Sequence, residues 1–275
     1  MKNSVKGILL LLLAFTIGLN IWQANMIRPL PPSSGTSINS ETEKRDLNTS
    51  TFRIATYNIQ SGKGIDGIRN INRTATALKG FDIIALNEVR GKTLLSHSSQ
   101  VEKLGEMLNM GWLFLPSQKR YFKDSFGNGF LSSFPVNIWY IEPLIYEHDD
   151  NISSSYRNLT TIQLKFNNKI VTFLLTHLDF NIIRKIQLSY VINEFANYKH
   201  CILIGDLNIS REDPLLIDLL NRNNALDALN VALGSKDIPD RIDWIIVKGF
   251  KVIEGGYTPP GISDHPLYWV ELELQ

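Results

Sequence analysis

Four times along this chain a strand-length apolar run stops at polar residues able to carry chemistry: FRIATYN (52–58), FDIIALNE (81–88), IVTFLLTHLD (170–179) and CILIGDLN (201–208). Runs of this length, rich in Ile, Val, Leu and Phe, read as strands with at least one face in a core. Between them lie segments with helical rhythm. INRTATALKG (71–80) closes on Gly80 as a C-cap, residues 100–110 place Val101, Leu104 and Leu108 on one face, and 182–195 and 214–222 repeat the pattern. LTTIQLKF (159–166) alternates with period 2 and turns through Asn167-Asn168-Lys169 into 170–179, an antiparallel hairpin. NGFLSSFPV (128–136), RIDWIIV (241–247) and LYWVELEL (267–274) complete the strands. Strands of both kinds with helices between them predict an α/β domain built on mixed sheets.

In such folds ligands gather where apolar strands end. The polar residues at those ends are Asn58, Glu88, His177, Asp179, Asp206, Asn208, Asp243, Asp264 and His265. His177 and Asp179 stand two apart, as do Asp206 and Asn208, so each pair projects to one side of an extended backbone. Oxygen ligands without cysteine suit Mg²⁺ or Mn²⁺ better than zinc. Histidines close to carboxylates can donate charge-assisted hydrogen bonds to an oxyanion. A divalent cation, an activated water and imidazoles facing a tetrahedral oxyanion together describe phosphoester hydrolysis. His97, His148 and His200 belong to no motif.

The rest of the sequence bounds the setting. Lys2 and Lys6 precede the apolar run 7–21, interrupted only by Asn20, and extending it from Val5 to Trp22 gives 18 residues. This is close to a membrane span, with Trp22 as an interfacial anchor, and no A-x-A site follows it. Residues 1–27 therefore read as a signal-anchor, with a cleaved signal peptide as the alternative. The positive flank places the N-terminus in the cytosol and the bulk of the chain outside it, in the periplasm or extracellular space. Residues 28–51, rich in Pro, Ser, Thr and charge, read as a flexible tether, and 52–275 as the folded domain. The single cysteine, Cys201, excludes an intramolecular disulfide and reads as a small buried hydrophobe. Of 28 Lys/Arg and 27 Asp/Glu, the first 50 residues hold five and three, so the domain is nearly neutral. That weakens a duplex-DNA reading, which normally needs a basic face. Lys119-Arg120-Tyr121-Phe122-Lys123 is the best candidate for a local basic stripe. Asn208-Ile209-Ser210 matches a glycosylation sequon by accident.

The order TYNI, ALNEV, NGFLS, THLD, GDLN, RIDW and SDH resembles the endonuclease/exonuclease/phosphatase superfamily, the DNase I-like metal-dependent phosphohydrolases, over about residues 52–275. The resemblance implies a four-layer sandwich, two packed mixed β-sheets flanked by helices. It further implies Glu88 as the principal Mg²⁺ ligand (Mn²⁺ as a substitute), with Asn58 beside it and Asp264 as a further metal-side carboxylate. Asp206 would orient or deprotonate the attacking water, with Asn208 holding the phosphate or that water. His265 would face the scissile phosphate, with Asp243 fixing its tautomer, and His177 would be the second such histidine. Arg157 and Asn128 would bind phosphate. The implied substrate is a phosphodiester of nucleic acid or of a phospholipid headgroup. The alternatives are a phosphomonoester, or an inactive binding module. The chain departs from the pattern in carrying Asn87 where the family usually has Gln, Gln60 where some members have an acidic residue, and a short stretch between Leu207 and Asp243.

Overall fold

The structure is a computed structural model that describes residues 2–25, 27–36, 38, 51–93, 96–120, 125–144, 156–180, 182–222, 224–234, 238 and 240–275. The candidate basic stripe falls largely on 121–124, His148 on 145–155, and most of the expected tether on 39–50; these lie outside the described residues.

Helix α1 (Lys2–Asn25) contains the apolar span Val5–Trp22, which is exposed along its length. By length and composition alone it can cross a membrane. It leads into β1 (Ile27–Pro29), which straddles the start of the stretch expected to be a tether, and β2 (Ser33–Gly35) inside that stretch. The body then runs β3 (Thr51–Asn58), α2 (Ile71–Ala77), β4 (Ile83–Arg90), α3 (Gln100–Leu108), β5 (Gly111–Arg120), β6 (Ser125–Ser132), β7 (Ile138–Pro143), β8 (Asn158–Phe166) and β9 (Lys169–His177). It continues α4 (Ile183–Ala196), β10 (Cys201–Asp206), α5 (Pro214–Arg222), β11 (Leu226–Asp227), α6 (Ala228–Leu233), β12 (Asp243–Lys248), β13 (Phe250–Thr258) and β14 (Leu267–Leu274). Helix α3 starts on a capping box, Ser99 with Glu102.

Two seven-stranded sheets result, in the orders β1-β5-β6-β4-β3-β14-β13 and β11-β12-β10-β9-β8-β7-β2. Each has a single parallel pair at its centre, β3 with β4 and β9 with β10, and antiparallel partners elsewhere. β1 lies against β5 and β2 against β7, so the two short strands cover one edge of each sheet.

Strand periodicity divides the core into three interlayers. Ile54, Ala85, Phe130, Phe173, Leu175, Ile202, Ile204 and Ile245 point between the sheets, with Phe52 stacked on Phe166 at 5.0 Å and Phe134 edge-on to Phe166 at 4.8 Å. The alternate residues Leu174, Cys201, Leu203 and Ile246 face α4 and α5, packing on Leu188, Val191, Phe195, Leu216 and Leu219. Ala55, Tyr57, Ile84 and Leu86 face α2 and α3, packing on Leu78, Val101 and Leu104. Helix, sheet, sheet and helix thus form the expected four-layer sandwich.

Strands β5, β7 and β13 are not in the sequence reading. Pro116 argues against a strand at β5, and the structure accommodates it with a register shift between Pro116 and Gln118 opposite Gly127. The expected strand over 128–136 is observed at Ser125–Ser132.

Candidate active site

The inner face of the sandwich changes character at one end. Along β3 the inward side chains run Phe52, Ile54, Thr56, Asn58; along β10, Ile202, Ile204, Asp206; along β9, Phe173, Leu175, His177. Asn87 on β4, Asn128 on β6, Asn158 on β8 and Asp243 on β12 occupy the matching positions of their strands. The same alternation that builds the core therefore delivers seven polar side chains, all buried, to one end of the inter-sheet space.

Glu88 has the wrong parity for this cleft. A regular strand would point it at the helices, because Asn87 already faces inward. The pairing of β4 with β6 shifts register between Leu86 and Val89, and Glu88 adopts a left-handed backbone with φ 60°. Its carboxylate thereby reaches the cleft, where Oε1 accepts from Asn58 Nδ2 at 3.3 Å. A non-glycine residue held at positive φ stores roughly 1–3 kcal/mol of backbone strain.

Asn58 Nδ2 also donates to Asp206 Oδ2 at 3.1 Å and lies 3.5 Å from His265 Nε2. His177 Nε2 is 3.4 Å and His265 Nε2 is 3.9 Å from the same Asp206 oxygen. One amide and two imidazoles, from β3, β9 and the loop before β14, thus converge on a single carboxylate oxygen. His265 Nδ1 is bonded to Asp243 Oδ2 at 2.7 Å, which fixes the ring tautomer. Ser263 Oγ donates to the Asn58 carbonyl at 2.7 Å and ties the His265 loop to β3.

Burial sets the charges. It lifts the Asp206 carboxyl to about 7, with Asp243 adding to the rise and His265, Asn58 and Asn208 opposing it. Burial pulls His265 down, but the bond to Asp243 and the charges of Asp243, Asp206 and Asp264 outweigh it and hold the ring at about 9. His177 lies well below the usual histidine range, through burial first and then Arg157 and His265. At neutral pH the site therefore holds one neutral and one protonated imidazole.

The other expected residues are placed as follows. Asn208 (φ 52°) donates its backbone N–H to Asp206 Oδ1 at 3.0 Å, while its side-chain amide turns to the Leu178 carbonyl at 2.8 Å. Arg157 is buried; desolvation pulls its pKa down while Asp179, Asp206 and Glu88 support the charge, and its Nε has no partner among the described residues. Asp264 is exposed at the mouth, bonded to Gln60 Nε2 and to Ser263 Oγ. Asn128 carries its amide inward. Its Oδ1 accepts from Asn87 at 2.8 Å and its Nδ2 donates to Asn158 at 3.0 Å.

That last contact exposes a row the sequence reading did not assemble. Asn87 bridges the sheets, with Oδ1 accepting from the Asp206 backbone N–H at 3.0 Å and Nδ2 donating to the Thr176 carbonyl at 3.1 Å. Asn158 ends the row on the carbonyls of Leu115 and Pro116. The shorter side chain at 87 thus holds the strand ends that carry Asp206 and His177. The only advance signal was its parity with Ile83 and Ala85.

The donor set fits a hard divalent cation. Glu88, Asp179, Asp206, Asp243 and Asp264 bring five carboxylates to a region that also holds Arg157 and His265. The sole cysteine is in the core, facing the α4–α5 layer. Ligand atoms of Asp206, Asp243 and His265 lie within 4.8 Å of one another, but Asp243 is committed to the imidazole. Glu88, beside Asn58, carries the carboxylate better placed to bind a cation.

A family model, the Endonuclease/Exonuclease/phosphatase family, matches residues 55–265. Among solved structures, an endonuclease/exonuclease/phosphatase from Beutenbergia cavernae is similar at TM-score 0.66 and 23% identity, covering 82% of this chain and 72% of that one. A family protein from Leptotrichia buccalis follows at 0.64 and 18%, covering 81% of this chain and all of its own. D. rerio TDP2, humanized by 14 mutations, gives 0.60 and 15%, with 82% of this chain and all of that one covered. No curated protein sequence matches the chain.

Proposed function

The chain belongs to the endonuclease/exonuclease/phosphatase family, and from that premise we propose that it is a Mg²⁺-dependent phosphodiesterase working by in-line attack of water. The observation that carries this reading is the convergence of His177 Nε2, His265 Nε2 and Asn58 Nδ2 on Asp206 Oδ2. A carboxylate lifted to about 7 can take a proton from water near neutral pH. The donors that meet beside it are those an equatorial phosphoryl oxygen needs as charge builds on it. His265, held protonated by Asp243, supplies a full positive charge, and neutral His177 supplies an N–H. Arg157 adds a buried cation behind them, and the Asn87–Asn128–Asn158 row fixes the backbone at Asp206. Glu88 with Asn58, and Asp264 from the mouth, would hold the cation, which when bound polarises the phosphoryl oxygen and offsets its charge. Mn²⁺ would serve as a substitute.

Lys2 and Lys6, ahead of the apolar run 7–21, favour a cytosolic N-terminus with the catalytic domain outside the cytosol. The test is release of nitrophenol from bis(p-nitrophenyl) phosphate and from the mono-ester, with Mg²⁺ or EDTA. Diester turnover that is abolished by EDTA and by His265→Ala supports the reading. Mono-ester turnover alone would make the protein a phosphatase instead.

A further inference from the structure

The way α1 joins the domain orients the cleft. Only Met26 separates α1 from β1, and β1 pairs Ile27 with Arg120 at the end of β5. β5 runs beside β6, whose first residue, Ser125, accepts from the Gly91 N–H just past Glu88. The apolar helix therefore enters the domain at the strand ends that carry the candidate site, one residue of sequence ahead of β1.

The rim of that end carries exposed apolar residues. The loop after Asn58 presents Ile65 and Ile68 at 69% and 61% exposure and is fastened by Ile65 N–H to the Gly261 carbonyl, two residues before Ser263. The stretch after His177 presents Phe180 and Ile182 at 66% and 75%. One pair leaves the cleft from β3 and the other from β9, so they stand on opposite sides of the mouth. Each is flanked by cations, Lys63 and Arg69 around the first pair and the exposed Lys185 beside the second. Single exposed apolar residues are ordinary. Paired ones flanked by basic residues on both sides of a cleft match a surface that sits in a lipid interface.

Building on the phosphodiesterase reading, we propose that the cleft opens onto the bilayer that holds α1, and that its substrate is the phosphodiester linkage of a phospholipid headgroup in that bilayer. Water's oxygen bonds to phosphorus as one of the two P–O ester bonds breaks. The departing alkoxide takes up a proton, so one water yields a phosphomonoester and an alcohol. Ile65, Ile68, Phe180 and Ile182 enter the lipid boundary, and the basic residues beside them meet headgroup phosphates.

The test uses the full chain reconstituted in vesicles of phosphatidylcholine and phosphatidylglycerol. Phe180→Ser/Ile182→Ser and Ile65→Ser/Ile68→Ser are expected to keep wild-type turnover of bis(p-nitrophenyl) phosphate while losing roughly tenfold or more in phospholipid hydrolysis, since anchoring follows buried apolar area. In a separate arm, Phe180→Trp in vesicles with brominated acyl chains is expected to add a blue-shifted, quenched emission absent from wild type. No extra quenching, equal loss on vesicles and soluble diester, or faster cleavage of a single-stranded oligonucleotide than of any phospholipid would overturn the proposal. Absence of soluble-diester turnover in the wild type would instead overturn the phosphodiesterase reading beneath it.

Discussion

Replacing Asp206 by asparagine should make the protein more stable above neutral pH while removing its activity. In the folded chain burial and Asp243 lift the carboxyl from 3.8 to about 7, so the native state binds this proton more tightly than the unfolded state does. Wild-type stability therefore falls as pH rises from about 4 to about 7, and the full penalty applies above that. A rise of this size bounds the penalty at about 4 kcal/mol. Asparagine removes it but sets one N–H₂ group where Asp206 Oδ2 accepts from Asn58 Nδ2, a loss of about 1–3 kcal/mol. At pH 8 the net effect is a gain of about 1–3 kcal/mol. Between pH 5 and pH 8 the variant should improve on wild type by about 2–3 kcal/mol, or roughly 5–10 °C in Tm for a domain of this size. Thermal unfolding of the detergent-solubilised chain in EDTA, at both pH values, measures this difference directly. Diester turnover should fall by about 10²–10⁴. A Tm difference that is the same at pH 5 and pH 8 would show that Asp206 is not a carboxylate ionised against its surroundings, and the proton-accepting role would fall with it.

Turnover should rise with pH through about 7 as Asp206 ionises and decline above about 9 as His265 loses its proton. Asp243→Asn should move the alkaline limb downward, and a pH–rate profile of both proteins checks it. Gly205→Ala should destabilise by more than about 3 kcal/mol, because φ is +131° and the added Cβ would lie 2.1 Å from the Thr176 carbonyl oxygen; the midpoint of urea unfolding measures it. Asn87→Ala leaves the Asp206 N–H and the Thr176 carbonyl without their partner and should reduce kcat by about 10–100-fold at little change in KM. Steady-state kinetics with saturating Mg²⁺ separates the two parameters.

Strand parity carried much of the site in the sequence itself. Ile202-Ile204-Asp206 and Phe173-Leu175-His177 say in one dimension that the polar residue continues the core face, and motif order says that these ends meet. Glu88 shows where that reasoning stops. Alternation sends it to the helix side, and only a register shift against a strand some 40 residues away brings it round. The Asn87 row was hidden for the same reason, since its partners come from β6, β8, β9 and β10. In β13, Gly255 and Gly256 weaken the strand signal of the sequence, yet the structure uses their lack of side chains. A Cβ at Gly256 would meet the Trp269 indole at 2.9 Å on the neighbouring strand. At the start of the expected tether, β1 and β2 were invisible because three-residue strands take their stability from the sheet edges they cover and not from their own composition.

The place of β14 sets when the candidate site can assemble during synthesis of the chain. This strand is made after the other described strands, yet it lies between β3 and β13, pairing Tyr268 with Thr56 and Leu272 with Phe52. Until the ribosome has released residues 267–274, the flank of β3 is an open edge and His265 has no fixed position above Asp243. The candidate residues of β3, β9 and β10 wait on this strand. A chain cut short before Leu267 would present the row of unpaired amides on β3 to any strand nearby. Half-made copies would lack a settled candidate site and be prone to aggregate.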